Sequence, residues 1–129
     1  MKLSRRADEM FRSPSRSFQF SKVLIAIGIV ASALHFGDNA MEMGTYPQPA
    51  WITPAGIVIG WTVAAALAVV ALMRRSRDGI FATCATGFAL VLISGHLHYY
   101  FGSAMQMTAF GNATVAFEVV TGCALVISL

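Results

Sequence analysis

TPAGIVIGWTVAAALAVVALM (Thr53–Met73), RRSRD (Arg74–Asp78) and GIFATCATGFALVLISGHLHY (Gly79–Tyr99) follow one another without a break. Two apolar runs of about 20 residues each match the length needed to cross a hydrocarbon core about 30 Å thick. The five residues between them carry Arg74, Arg75 and Arg77 and leave room only for a tight turn. The two runs are therefore antiparallel neighbouring transmembrane helices, with the turn on the cytoplasmic side, where basic loops are retained. Thr53-Pro54 supplies an N-cap and a proline at the first helical position, where a missing N–H costs nothing.

Working outward, two further runs qualify, giving spans over 18–36, 53–73, 79–99 and 112–129 behind a basic cytoplasmic tail, 1–17. Hydrophobic residues make up 57% of the 129-residue chain and charged residues only 12%, too apolar for an ordinary soluble domain. The expected fold is all-α, an integral membrane four-helix bundle forming one domain. The remaining basic residues, Lys2, Arg5, Arg6, Arg12, Arg16 and Lys22, precede or open the first run, whereas Phe36–Ile52 and Tyr99–Gly111 contain no Lys or Arg. Both termini are expected in the cytoplasm of a bacterial-type inner membrane, with all three His at the opposite side. Ala31-Ser32-Ala33 resembles a signal-peptidase site, and cleavage there would leave three spans. The long basic region favours an uncleaved first span. The basic charge is a topology signal that also suits anionic lipid headgroups, and nothing calls for nucleic acid.

Between the first two spans, Tyr46-Pro47-Gln48-Pro49 reads as a stiff extended linker. Trp51, Tyr99, Tyr100 and Phe101 are placed as an interfacial aromatic belt at the outer side. Gly56, Gly60 and Ala64 form a small-xxx-small series on the second span, a pattern that lets helix backbones approach in lipid. On the third span Cys84, Gly87, Val91, Ser94, Gly95 and His98 form a small-residue face, expected to point into the bundle. His96, two residues from His98, lies about 200° away on a helix and belongs to another face.

The polar residues converge toward the outer half. His35 and Asp38 are three apart, and Asn39 lies four along from His35. Glu118 lies inside the fourth span, about 9 Å below Asn112 at 1.5 Å per residue. A carboxylate within a span costs at least about 2.5 kcal/mol on insertion scales, so it must face protein or water. His35, Asp38, His98 and Glu118 are thus candidate metal ligands, with Asp38 or Asn39 as second shell or fourth ligand. Imidazole with carboxylate oxygen suits Zn²⁺, Fe²⁺ or Mn²⁺. Met41-x-Met43, Met105-x-Met107 and His96-x-His98 keep Cu(I) as a lesser option, and His35 with His98 as haem ligands is another. Competing functions are an assembly subunit meeting a membrane-protein partner or a second copy of itself, and proton or ion translocation through a His98/Glu118 relay. Cys84 and Cys123 lack C-x-x-C spacing and read as small apolar residues.

The pattern His35-x-x-Asp38-Asn39, Tyr46-Pro47, Trp51, His98-Tyr99 and Asn112-x-Thr114-x-x-x-Glu118 resembles a group of small bacterial four-span membrane proteins without an assigned activity. The resemblance covers about Ala33 to Gly122. It implies the four-span architecture and the same polar positions, and no reaction.

Overall fold

A computed structural model describes residues 15–129. The basic residues Lys2, Arg5, Arg6 and Arg12, and most of the expected tail, lie outside the described residues. The helices are α1 (Arg16–Met41), α2 (Pro54–Met73), α3 (Gly79–Ser94), the one-turn α4 (His98–Phe101) and α5 (Ala109–Ser128). Short 3₁₀ turns at Gly95–Leu97 and Ala104–Gln106 join α3 to α4 and lead toward α5. The four long apolar helices, α1, α2, α3 continued through α4, and α5, are each long enough to cross a bilayer, at 26, 20, 23 and 20 residues. The chain is an all-α, multi-pass membrane four-helix bundle.

Local chemistry fixes the helix starts. At each of the four, a side-chain oxygen satisfies a backbone N–H that the first turn leaves free: Ser15 takes that of Phe18 (3.3 Å), Thr53 that of Gly56 (3.1 Å), Asp78 that of Phe81 (2.8 Å) and Thr108 that of Gly111 (2.9 Å). Three spans exceed the expected bounds, the third by running on through α4 to Phe101. α1 continues past Phe36 to Met41, because no proline interrupts it before Pro47, and α5 starts at Ala109, because Thr108 caps it before Asn112.

α1 packs against α2 and α5, and α3 against α2 and α5, so the cyclic order is α1, α2, α3, α5. Burial on α1 and α5 recurs every three to four residues: Phe18, Ser21, Leu24, Ile25, Gly28, Ser32, His35 and Asn39 on α1, and Gly111, Thr114, Val115, Glu118, Thr121 and Leu125 on α5. A single stripe on each helix therefore faces the bundle. The apolar core is built from Ile25, Phe81, Phe88, Leu92 and Leu125. Outward-facing Val23, Val30, Ile59, Val63, Leu90, Phe117 and Val120 are exposed, as a lipid-facing surface requires.

Two packing expectations are corrected. The buried face of α3 is Phe81, Ala85, Phe88, Ala89 and Leu92, whereas Gly87 is half-buried and Ser94 exposed. Close helix approach does not use Gly56 or Gly60: a Cβ on Gly60 would meet nothing within 4 Å, and one on Gly56 only its own capping Thr53 Oγ1. It uses Gly122, where a Cβ would lie 2.9 Å from the Ala89 carbonyl oxygen on α3. Phe88 and Leu92 fill volume beside such contacts, so large and small residues share the interface.

The two ends of the bundle differ. At one end Arg77 donates to the Ser128 and Leu129 carbonyl oxygens (the latter at 3.0 Å) and to Ser21 Oγ (3.1 Å). Lys22 Nζ donates to the Leu72 carbonyl (2.9 Å), and Arg74 is paired with Asp78. These bonds gather the free carbonyls at the helix C-termini, where cations are also favoured by the helix dipoles. The other end carries the 42–53 connection, the broken helix after α3 and all three His.

Candidate functional site

Each functional side chain at the histidine end is placed by its own element. On α1, His35 and Asn39 stand one turn apart on the buried stripe, and Asp38 is offset from it. On α5, Glu118 occupies the same kind of stripe and is wholly buried. His98 arrives differently. The helix tightens to a 3₁₀ turn at Gly95–Leu97, where residues i and i+3 eclipse. His98 therefore stands over buried Gly95, in line with Leu92, while His96 is exposed, with Nδ1 2.5 Å from the Ile93 carbonyl. The separation of the two imidazoles holds, and the row that carries His98 inward is the one containing Leu92 and Gly95.

His35 Nε2 lies 3.7 Å from Glu118 Oε2. The His35 and His98 rings meet edge to face with centroids 5.3 Å apart. Tyr46 packs beside both, 5.7 Å from His35 and 5.0 Å from His98. Its hydroxyl donates to Asp38 Oδ2 at 2.5 Å. Burial, and then the hydrogen bond to Asp38, raise the Tyr46 phenol above its ordinary pKa. Tyr46 is thus the group that ties Asp38 to the imidazole pair.

His98 is oriented by the linker. Its Nδ1 lies 2.9 Å from the Pro47 carbonyl, which only accepts, so Nδ1 carries the proton and Nε2 presents a lone pair. Asn39 Nδ2, 3.3 Å away, donates to that lone pair, which leaves Asn39 Oδ1 as the free acceptor. The buried atoms His35 Nδ1, Asn39 Oδ1 and both oxygens of Glu118 make no hydrogen bond. Buried polar groups are nearly always paired, so four unpaired atoms on His35, Asn39 and Glu118 form an unusual concentration.

Space for this centre depends on glycine. A Cβ on Gly95 would sit 2.9 Å from Glu118 Oε2, and one on Gly111 would sit 2.6 Å from the Tyr46 hydroxyl. The cluster adjoins a cavity of about 340 Å³ lined by His35, Asn39 and His98 together with residues of the linker and α2.

The structure brings His35, His98 and Glu118 together and sets Asp38 behind Tyr46. Among the described residues, no three His, Cys, Asp or Glu side chains already enclose a metal position. Met41 and Met105 are turned outward, and Met107 is buried against the Tyr46 and Val115 cluster.

No family model, curated protein or solved structure matches the chain. Function is therefore argued from the site. Tyr46 and Pro47 enter the sequence reading as a stiff linker and as part of the resemblance, without the site roles that the Tyr46 hydroxyl and the Pro47 carbonyl take here. Their signal was the stiff Tyr46-Pro47-Gln48-Pro49 segment itself, since a rigid linker beside a buried His can hold a hydrogen-bonding group in place.

Proposed function

We propose that this protein sits in a bacterial-type inner membrane with both termini in the cytoplasm and binds a divalent transition-metal ion at its outward-facing histidine end. His35, His98 and Glu118 supply the ligands, and Asn39 and the Tyr46–Asp38 pair form the layer behind them. The observation that carries the reading is the wholly buried Glu118: neither carboxylate oxygen is hydrogen-bonded, and the nearest charge partner is His35 Nε2 at 3.7 Å. A buried carboxylate in that position calls for a cation or a proton.

Metal–ligand bonds of about 2.0–2.2 Å place neighbouring ligand atoms roughly 3–3.5 Å apart. The His35–Glu118 separation needs a contraction of only a few tenths of an ångström to meet that. His98 must exchange the Asn39 amide for the ion. Its Nδ1–H bond to a backbone carbonyl supports this role, because such a bond fixes the tautomer that ligating histidines use. Two nitrogens and a carboxylate oxygen suit Zn²⁺, Fe²⁺ or Mn²⁺ better than Cu(I), which favours the soft donors that this trio lacks.

A proton relay across the membrane is less well supported. Below Glu118 the bundle is filled by Ile25, Phe88, Leu92 and Leu125, and the hydroxyls of Ser21 and Ser128 pair only at the far end.

The test is elemental analysis of purified protein and of its His98→Ala variant. Stoichiometric metal in the parent and background metal in the variant is the expected result. Background metal in a parent prepared under metal-replete conditions overturns the assignment and puts a membrane-complex subunit ahead.

A further inference from the structure

The cavity beside the imidazoles has a chemistry of its own. It lies between α1, the 48–52 linker, α2 and the α3–α4 junction, and its volume of about 340 Å³ is in the range of small-ligand pockets. Phe36, Trp51, Ile52, Ile57 and Phe101 bring large apolar side chains to its wall. Trp51 is 78% exposed and Phe101 50%, so the aromatic rim faces the surface at interfacial depth, where an amphiphile can enter from the bilayer.

Three polar groups on this wall are buried and unpaired: Asn39 Oδ1, His35 Nδ1 and Gln48 Nε2. Asn39 is 5% exposed and His35 2%, so neither reaches bulk water. The His98 tautomer set by Pro47 makes Asn39 Oδ1 an acceptor, and Gln48 Nε2 is a donor. A ligand that satisfies both must donate and accept. Among the described residues no Lys, Arg, Asp or Glu lines the cavity, so a charged headgroup would be buried without a counter-charge.

We infer that this cavity binds a neutral membrane-derived alcohol or phenol, with its hydroxyl at Asn39 and Gln48 and its apolar body against Trp51, Ile57 and Phe101. A hydroxyl combines donor and acceptor in one atom, a ketone only accepts, and a carboxylate or ammonium brings uncompensated charge. The cavity shares His98 with the proposed metal site through the Asn39 amide, so metal content is measured beside ligand binding to tell the two readings apart.

The test uses the full chain in lipid nanodiscs with Trp61→Phe, which leaves Trp51 as the remaining tryptophan. Quenching by 6-bromohexanol is compared with that by 6-bromohexanoate and 1-bromohexane. The alcohol is expected to give saturable quenching at least about tenfold tighter than either of the others, the scale of one hydrogen bond gained or one charge excluded. Adding Asn39→Leu should weaken it by a similar factor. Gly56→Phe, whose Cβ meets only Thr53 Oγ1 at 3.3 Å, should fill the cavity and leave only the linear quenching of lipid-dissolved probe. Ser94→Phe fills it from the α3 side if the first variant does not fold. Equal, unsaturable quenching by all three probes overturns the inference, as does unchanged saturation in a folded cavity-filled variant. Metal content measured on the same samples is expected to survive Gly56→Phe. Loss of metal in the parent with intact alcohol binding would remove the metal reading alone.

Discussion

At the scale of single residues, Glu118 and Gly95 act as a pair. The carboxylate on α5 lies against the 3₁₀ turn after α3, which presents no side chain at Gly95, so its environment is tested from either side. Glu118→Gln keeps the shape and most of the hydrogen-bonding capacity but removes the charge. It is expected to insert and fold, to lose its metal, and to lose thermal stability along with occupancy, since an ion that binds only the folded state stabilises it. Elemental analysis beside a melting curve checks this. Unchanged metal and melting would mean that Glu118 is a protonated interhelical contact, with about 1 kcal/mol or less at stake. Gly95→Ala places a methyl group 2.9 Å from Oε2 and is expected to lower metal content while both helices still form. Tyr46→Phe removes the bond to Asp38. The folded-state phenol pKa lies above the unfolded value of about 10, so the bond's contribution is full below pH 10 and is lost as pH rises through the folded-state value. The stability gap between parent and Tyr46→Phe should therefore stay constant from neutral pH to about pH 10 and narrow above it in pH-dependent melts.

At the scale of elements, the decisive one is the short 3₁₀ turn after α3. It rotates His98 into line with Gly95 and leaves His96 exposed. His98→Ala is expected to abolish metal binding, while His96→Ala should leave it within experimental error. Equal losses measured by elemental analysis would mean that the His-x-His segment chelates as a loop. How far the sequence disclosed these elements follows from where contrast exists. The apolar runs, the Thr53-Pro54 helix start and the basic turn are local signals, and α2, the turn after it and the start of α3 lie where those signals put them. The inward face of α3 was misassigned to Cys84, Gly87 and Ser94, because lipid and protein core are equally apolar. Side-chain polarity then carries no contrast between them, and only packing decides. The site was half legible for the same reason. His35, His98 and Glu118 stand out because ionisable groups are costly in lipid. The linker's holding of His98 through a backbone carbonyl, and of Asp38 through Tyr46, depends on a three-dimensional return of the chain that no local pattern encodes.

At the scale of the whole molecule, charge separates the two ends. Among the described residues Arg16, Lys22, Arg74, Arg75 and Arg77 all stand at the end where α1 begins and α5 finishes, and no Lys or Arg stands at the histidine end. Arg77 and Lys22 collect free helix carbonyls, and a one-sided set of this kind is the bias that the proposed topology, with this end in the cytoplasm, rests on. A reporter inserted at Ser76 is expected to score as cytoplasmic, and reporters at Thr45 and Thr108 as external. Ser76 is the most informative position, because its turn belongs to two helices at once: an external signal there would invert α2 and α3 together and carry the imidazole cluster to the cytoplasmic side. The cluster would then draw its ion from the cytosol. Replacing Arg74, Arg75 and Arg77 with neutral residues tests the cause. It should weaken retention of this turn and cost the Arg77 bonds that hold Ser21, Ser128 and Leu129 together. A mixed reporter signal together with a lower melting temperature is the expected result if the side chains that close this end of the bundle also orient it.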